Sequence, residues 1–286
     1  MSEETPLPLV GPGVVMRALA ARAEELRRDV SRPVLIVGAR GLGKRFLAER
    51  IHRTSTLSAQ PLLAIDARRA SDTALRRLLD DAVAGSTVLV RHVDQLSPAA
   101  QALLDQRTGD RGPVARLMAT TTADIVARVT AGSFVESLYY RIHAWPMLIP
   151  ALADRDADDL LALATAVLRQ TADADDELPL TLDPAAAVLV RQYPWADNLR
   201  ELEAALALAQ LRARGLPAIG LVHLSLYAGD VSVPAADASF STIEAWHLAR
   251  AVRLYKGNRT HAARSLGISR MTLISKLKLL GDEAVK

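Results

Sequence analysis

The run Gly38-Ala39-Arg40-Gly41-Leu42-Gly43-Lys44, with Arg45 behind it, is the segment of this sequence best suited to holding a phosphate chain. Glycines let backbone amides approach phosphate oxygens, and a lysine at the end of such a loop reaches the terminal phosphates. The flanks agree: an apolar run, Val34 to Val37, precedes the loop and a helical pattern follows it. A glycine-rich strand-to-helix turn without a ligand has the same pattern, so both readings stand at this point. The second chemistry-bearing segment lies near the C-terminus. There Asn258 suits the N-cap of a short helix, RTHAARSL, Gly267 suits the left-handed residue that ends it, and Ser269 suits the cap of a further helix. In that last helix Leu273, Leu277 and Leu280 form an apolar stripe, which leaves Arg270, Met271, Thr272, Ser275, Lys276 and Lys278 facing outward. Two short helices joined by a tight turn, the second polar and basic, have the geometry that lays a helix in the major groove of DNA. A solvated helical hairpin fits the same pattern.

The elements that must position these groups alternate in type. Short β-rich runs at Val34–Val37, Leu62–Ile65, Thr87–Val90, Leu117–Thr120 and Met147–Ile149 are separated by helical patterns, which predicts a parallel sheet covered by helices on both faces. After Pro150 the pattern becomes helical throughout, over Asp154–Leu168, Asp183–Arg191 and Asn198–Ala213. Leu226 to Ser239 is rich in small residues and Pro and reads as a linker. Ser241 and Glu244 then have capping-box spacing ahead of an amphipathic helix carrying Ile243, Trp246, Ala249 and Val252. The acidic run Asp154–Asp159 reads as a solvated helix start favoured by the helix dipole, and not as a metal site. Trp145 and Trp195 read as packing residues.

The totals exclude several classes of function. With no cysteine there is neither a disulfide, a thiolate metal site nor a Cys nucleophile, and the six histidines show no metal-ligand spacing. Nothing approaches the roughly 18 uncharged apolar residues of a membrane helix, and the N-terminus lacks a basic-then-apolar leader pattern, so a cytoplasmic location and no membrane partner are expected. The net charge of +3 is unevenly spread. From Ser241 to Lys286 nine Lys/Arg face three Asp/Glu, an excess of six, so the rest of the chain carries −3. A basic end attracts phosphate polyanions.

The C-terminal stretch GNRTHAARSLGISRMTLISKLKLLG resembles the Fis-type helix-turn-helix that ends bacterial enhancer-binding proteins of the NtrC type. The front of the chain is similar to the AAA+ ATPase domain of the same activators, over LVGPGVVMRALAARAEELRRDVSRPVLIVGARGLGKRFLAERIHRTS, SFVESLYYRIHAWPMLIPALADRDADDLLALA and YPWADNLRELEAAL. The resemblance implies that Arg270, Met271, Thr272 and Ser275 face base edges and that Arg259, Lys276 and Lys278 contact phosphates, with Ser269 part of the same DNA-binding set. It further implies dimerisation through the first helix of the Fis-type unit, higher self-association through the AAA+ part, double-stranded DNA as partner, and polymerase or another regulator as a further contact. ATP or ADP is the implied ligand, on residues 38–45 and Arg200, the last in the place of the family's second sensor arginine.

Departures from the family pattern matter as much. Hydrolysis in these domains uses an acidic pair at the end of the third strand, one acid for Mg²⁺ and one for the attacking water. Here the equivalent run GSTVLVRHVDQL places Arg91 and His92 at those positions, with Asp94 three residues past the first of them. Thr122 stands where the family has a sensor asparagine, and of two family arginines Val135 replaces the first while Arg141 keeps the second. Arg45 stands where relatives commonly have Glu. Between Lys44 and Arg91 the GAFTGA sequence by which activators touch sigma-54 does not occur, and the interval is shorter than usual. No sensory domain is expected ahead of the resemblance, which starts near Pro8.

The expected architecture is therefore α/β: an AAA+ αβα sandwich with a five-stranded parallel sheet over residues 1–150, a helical lid over 151–225, a linker over 226–240, and an all-α Fis-type helix-turn-helix over 241–286. The expected function is DNA-binding transcription regulation with no catalytic residues, no metal and no sigma-54 remodelling. Two alternatives remain at this level: an active ATPase that remodels a transcription complex, with Asp94 or a residue outside the motif supplying the acid, and a non-catalytic partner that tunes the hexamer of an active relative.

Overall fold

In the computed structural model, residues 7–108, 115–122, 124–172, 177–224, 244, 247–248, 251–252, 255 and 258–279 are described, the side chains of 278 and 279 excepted. The chain divides into two compact units, Met1–Leu224 and Ser225–Lys286.

The first unit is built on five parallel strands, β1 (Val34–Val37), β2 (Leu62–Asp66), β3 (Thr87–Arg91), β4 (Arg116–Thr121) and β5 (Pro146–Leu148), in the order β2-β3-β4-β1-β5. All pairings are parallel, with Val34 opposite Met118, Leu89 opposite Met118 and Asp66 opposite Arg91. The near-continuous apolar runs of β1, β3 and β4 mark strands buried on both faces. Alternation sorts their side chains. Leu35, Val37, Val88, Val90, Leu117 and Ala119 share one cluster with Leu75 of α3 (Asp72–Asp80), Leu103 and Leu104 of α4 (Pro98–Arg107), Ile125 of α5 (Ile125–Thr130) and Leu138 and Ile142 of α6 (Glu136–Ile142). Val34, Ile36, Leu89 and Met118 point the other way, where α2 (Lys44–Arg53) contacts β1, β3 and β4 and is itself covered by α1 (Val14–Arg28). Each such fully buried aliphatic side chain contributes about 1.5–3 kcal/mol. The strands fall within a residue of the expected runs, because a run this apolar has only one place to go.

Helix starts follow local chemistry. Ser71, Ser97 and Asp124 each accept a hydrogen bond from the backbone N–H three residues on, at 3.2, 3.0 and 3.2 Å, which satisfies a donor that the first helical turn leaves open. Pro98, directly after the Ser97 cap, has no N–H to orphan. The helical lid consists of α7 (Ala157–Ala172), α8 (Pro184–Gln192) and α9 (Asn198–Arg212), the last two packed on α7. Asp183 caps α8 through Ala186 N at 2.7 Å, as its sequence suggests. The lid's first helix starts at Ala157, not Asp154, since residues 152–154 form a 3-10 turn. The acidic run is also not wholly solvated: Asp159 is 3% exposed and accepts the Gly13 N–H at 2.6 Å, anchoring the N-terminal segment to the lid. Arg155 adds a bond to the Pro8 carbonyl at 2.8 Å. Trp195 is buried in the lid and donates to Val190 O at 3.0 Å, while Trp145 is covered by the guanidinium groups of Arg22 and Arg32.

In the second unit two helices are described from end to end, α10 (Arg259–Ser265) and α11 (Arg270–Leu279). Asn258 Oδ1 accepts from Thr260 N and His261 N, Gly267 has φ +67°, and Ser269 Oγ accepts from Thr272 N at 3.0 Å. The core is Leu248, Ala251, Val252, Ala262, Ala263, Leu273 and Leu277. The linker, Ser241, Ile243, Trp246, Ala249 and Leu280 lie outside the described residues.

Candidate functional site

The strand order places β1 and β4 side by side, with the chain leaving β1 toward the β2 edge and leaving β4 toward β5. Loops that depart in opposite directions leave a crevice at the carboxyl ends of such strands. Residues 38–43 occupy it. Gly41 and Gly43 have φ of +79° and +70°, conformations that side chains other than glycine rarely adopt. At Gly41 space forbids a side chain as well, since a Cβ there would lie 2.0 Å from Asp197 O. The loop is fastened to the lid at this point: Arg200 N donates to Gly41 O at 3.1 Å and Asn198 Nδ2 to Arg40 O at 2.8 Å. Asn198 holds a left-handed φ of +55° and also accepts from Leu152 N at 2.9 Å. Its side chain thus joins the loop to the 3-10 turn of residues 152–154 and to the lid.

Over the loop lies a cavity of about 650 Å³, lined by Arg40 to Arg45, Arg68, Arg69, Arg91, His92, Asp94, Gln95, Thr120, Thr122 and Arg200. Of the residues expected to bind nucleotide, Arg40, Gly41, Leu42, Gly43, Lys44, Arg45 and Arg200 line it. Gly38 and Ala39 contribute from behind, their carbonyls accepting from Lys44 Nζ at 2.7 Å each. Burial pulls the Lys44 ammonium down to about 8, against the opposing attraction of Asp94. Among the described residues, seven formal cations line the space beside one carboxylate.

Charge at the far wall is organised around Asp66, at the end of β2. It accepts from Arg91 Nη2 and from Arg68 Nε and Nη2, the latter two at 3.1 and 2.8 Å. Hydrogen bonds from Arg68, reinforced by Arg91, hold the Asp66 carboxyl well below the usual carboxylate range. Asp66 and Arg91 are register partners across β2 and β3, so the pair is built into the sheet. The contribution of Arg68 and Arg69 was not expected from the sequence. The signal was present in the basic run DARRA directly after β2, whose loop belongs to the same crevice.

A magnesium ion does not fit this donor set. Mg²⁺ needs oxygen ligands in an octahedron, supplied in phosphate-binding loops by a Ser or Thr hydroxyl after the lysine and by an acid. Arg45 occupies the first place and pairs with Glu49 at 2.6 Å. Arg91 ends β3, and His92, at φ +54°, turns the chain away. Burial, with the charge of Arg68, lowers the His92 imidazolium pKa below its usual value. Asp94 is buried and each of its oxygens accepts a bond: Oδ1 from Thr121 Oγ1 at 2.8 Å and Oδ2 from Gln95 at 2.6 Å, with Arg128 3.9 Å away. Thr122 is exposed on the cavity rim, and Arg141 is held by Asp105 at 2.8 Å and Thr108 O at 2.9 Å.

On the second unit, Arg259, Ser269, Arg270, Met271, Thr272 and Ser275 are exposed, Met271 at 68%. The Ser269 and Thr272 hydroxyls bond each other at 2.8 Å. Lys276 departs from expectation: it is half-buried and pairs with Glu244, so its charge is already partnered within the unit. The Lys278 side chain lies outside the described residues.

Comparison with known proteins agrees with both units. Residues 10–152 match the family described as Sigma-54 interaction domain, and residues 239–279 match Bacterial regulatory protein, Fis family. Among relatives, the transcriptional regulatory protein ZraR of Salmonella typhimurium is 30% identical over 282 residues, covering 85% of this chain and 62% of ZraR. The response regulator protein FleR of Pseudomonas aeruginosa is 31% identical over 242 residues, covering 74% of this chain and 50% of FleR. This chain therefore spans less than two thirds of the length of these relatives. The fold matches NtrX from Brucella abortus, solved in complex with ATP, at a TM-score of 0.66 and 22% identity over 95% of this chain and 69% of that one. With the parallel sheet, the glycine loop and half of its length matched, this chain belongs to the Sigma-54 interaction domain family, joined here to a Fis-type helix-turn-helix.

Proposed function

We propose that this chain is a DNA-binding transcription regulator whose AAA+ domain holds ATP or ADP without metal-assisted hydrolysis and acts without remodelling sigma-54 polymerase. The observation that carries it is Arg91: the end of β3 presents to the nucleotide crevice a guanidinium paired with Asp66, where catalysis needs a carboxylate bound to magnesium. The reading of Asp94 as a substitute acid is opposed by its bonds to Thr121 and Gln95. The glycine loop and Lys44 retain what phosphate binding needs. The connection from β2 to β3 is twenty residues, 67–86, and holds the single helix α3, with no GAFTGA sequence in it. DNA binding is supported by α11, whose Arg270, Met271, Thr272 and Ser275 stand exposed on one short helix following a tight turn, the arrangement of a recognition helix. Dimerisation through the C-terminal unit, giving a two-fold related DNA site, belongs to the same proposal.

Two measurements test it. The purified chain should retard genomic DNA fragments at low salt, with Arg270→Ala abolishing the preference among them, and it should release no phosphate from ATP with magnesium beyond a Lys44→Ala control. Lys44-dependent turnover would overturn the first half, and indifference of DNA binding to Arg270→Ala the second.

A further inference from the structure

We propose that the crevice selects the metal-free form of its polyphosphate ligand, Arg91 and Arg68 standing in for the charge of a magnesium ion, so that magnesium opposes binding. The inference rests on the nucleotide-binding reading above. A nucleoside triphosphate free of metal carries close to four negative charges at neutral pH, and coordination of Mg²⁺ removes two of them. A site built for the complex offers oxygen ligands to the metal, whereas this one offers guanidinium groups. When Asp66, Asp94, Glu49 and Asp197 are set against the seven lining cations, three positive charges remain in excess. Arg91 is fixed on the sheet by its register partner Asp66, and Arg68 by two bonds to the same carboxylate. Such a preorganised pair of planar donors suits phosphate oxygens, because a guanidinium binds two of them at once. Arg91, at the end of β3, would also repel a Mg²⁺ ion entering the crevice.

The test is calorimetric titration of the full chain with ATP, and in parallel with inorganic tripolyphosphate, in EDTA and in excess magnesium. Binding in EDTA should be about tenfold tighter than in magnesium, as one or two unscreened charges would give. Arg91→Gln should weaken binding in EDTA about tenfold and remove the difference between the two conditions. Arg68→Gln, at a half-exposed position where folding is not at stake, should shift both quantities the same way. Binding as tight or tighter with magnesium, or an equal loss in both conditions on removing the arginines, overturns the inference while leaving nucleotide binding intact. No binding of either probe in either condition overturns the nucleotide-binding reading and the inference with it. Tripolyphosphate following ATP assigns the effect to the phosphate end, as expected. Metal discrimination shown by ATP alone refutes that assignment.

Discussion

Replacing Asp66 by Asn should move stability and ligand affinity in opposite directions. Asp66 has a side chain 12% exposed and neutralises Arg91, itself 24% exposed, together with the half-exposed Arg68. Asparagine preserves the shape but leaves the Arg91 guanidinium without a counter-charge in a site partly shut off from water. Removing one partner of a fully buried pair costs about 3–5 kcal/mol and an exposed one less than about 1, so a loss of about 2 kcal/mol is expected here. For a unit of this size that lowers Tm by about 4–8 °C. The same substitution removes a negative charge from the wall of the proposed phosphate site. One unit charge at roughly 10 Å, with an effective dielectric constant of roughly 20, is worth about 1.5 kcal/mol, so ATP without metal should bind roughly tenfold tighter at low salt. The pH dependence supplies a third readout. Because the folded-state pKa of Asp66 is depressed, its stabilisation is complete above the unfolded value near ~3.9 and is lost as pH falls below it. Urea unfolding followed by circular dichroism should therefore show a shallower loss of stability below about pH 4 in the variant than in the parent. Unchanged stability with weaker ATP binding would refute the reasoning, since it would mean that Asp66 acts on the ligand by holding the arginines in place and not by cancelling their charge.

Other expectations follow from the same geometry. Nucleotide affinity should weaken as pH rises through about 8, where the partly buried Lys44 ammonium loses its proton, and Lys44→Ala should abolish that dependence; a flat profile in the parent would oppose it. Asn198→Ala removes bonds to Arg40 O and Leu152 N and leaves a left-handed φ without glycine or asparagine, so a loss of about 2–3 kcal/mol and a weaker hold on ATP are expected in denaturation and titration. Arg259→Ala should lower the slope of log affinity for DNA against log salt by about 1 without changing sequence preference, whereas Met271→Ala should change preference at one base position and leave the slope alone. Lys276→Ala, whose charge already faces Glu244, should leave that slope nearly unchanged in the same assay.

The strands and caps of this fold are legible in the sequence because both are local: a run such as VLIV has no alternative to burial, and a Ser, Asp or Asn before a helix bonds a donor three residues away. The glycine loop and the outward face of α11 are legible for the same reason. Asp159 was misread because an acidic helix start looks solvated until a segment almost 150 residues earlier brings the Gly13 N–H to it. The pairing of Lys276 is not legible locally, because its partner Glu244 is 32 residues away.

The sequence by itself marks a glycine loop ending in Lys44 and a basic helix after a tight turn, and the resemblance implies that Arg91 and His92 stand where the family has acids. Only the tertiary structure decided what those substitutions make of the site. Parallel pairing of β2 with β3 sets Asp66 beside Arg91, packing brings the Thr121 hydroxyl to Asp94, and the lid sets Asn198 against the loop. Each is a contact between residues distant in the chain, and its electrostatic consequence depends on burial that no single stretch of sequence specifies.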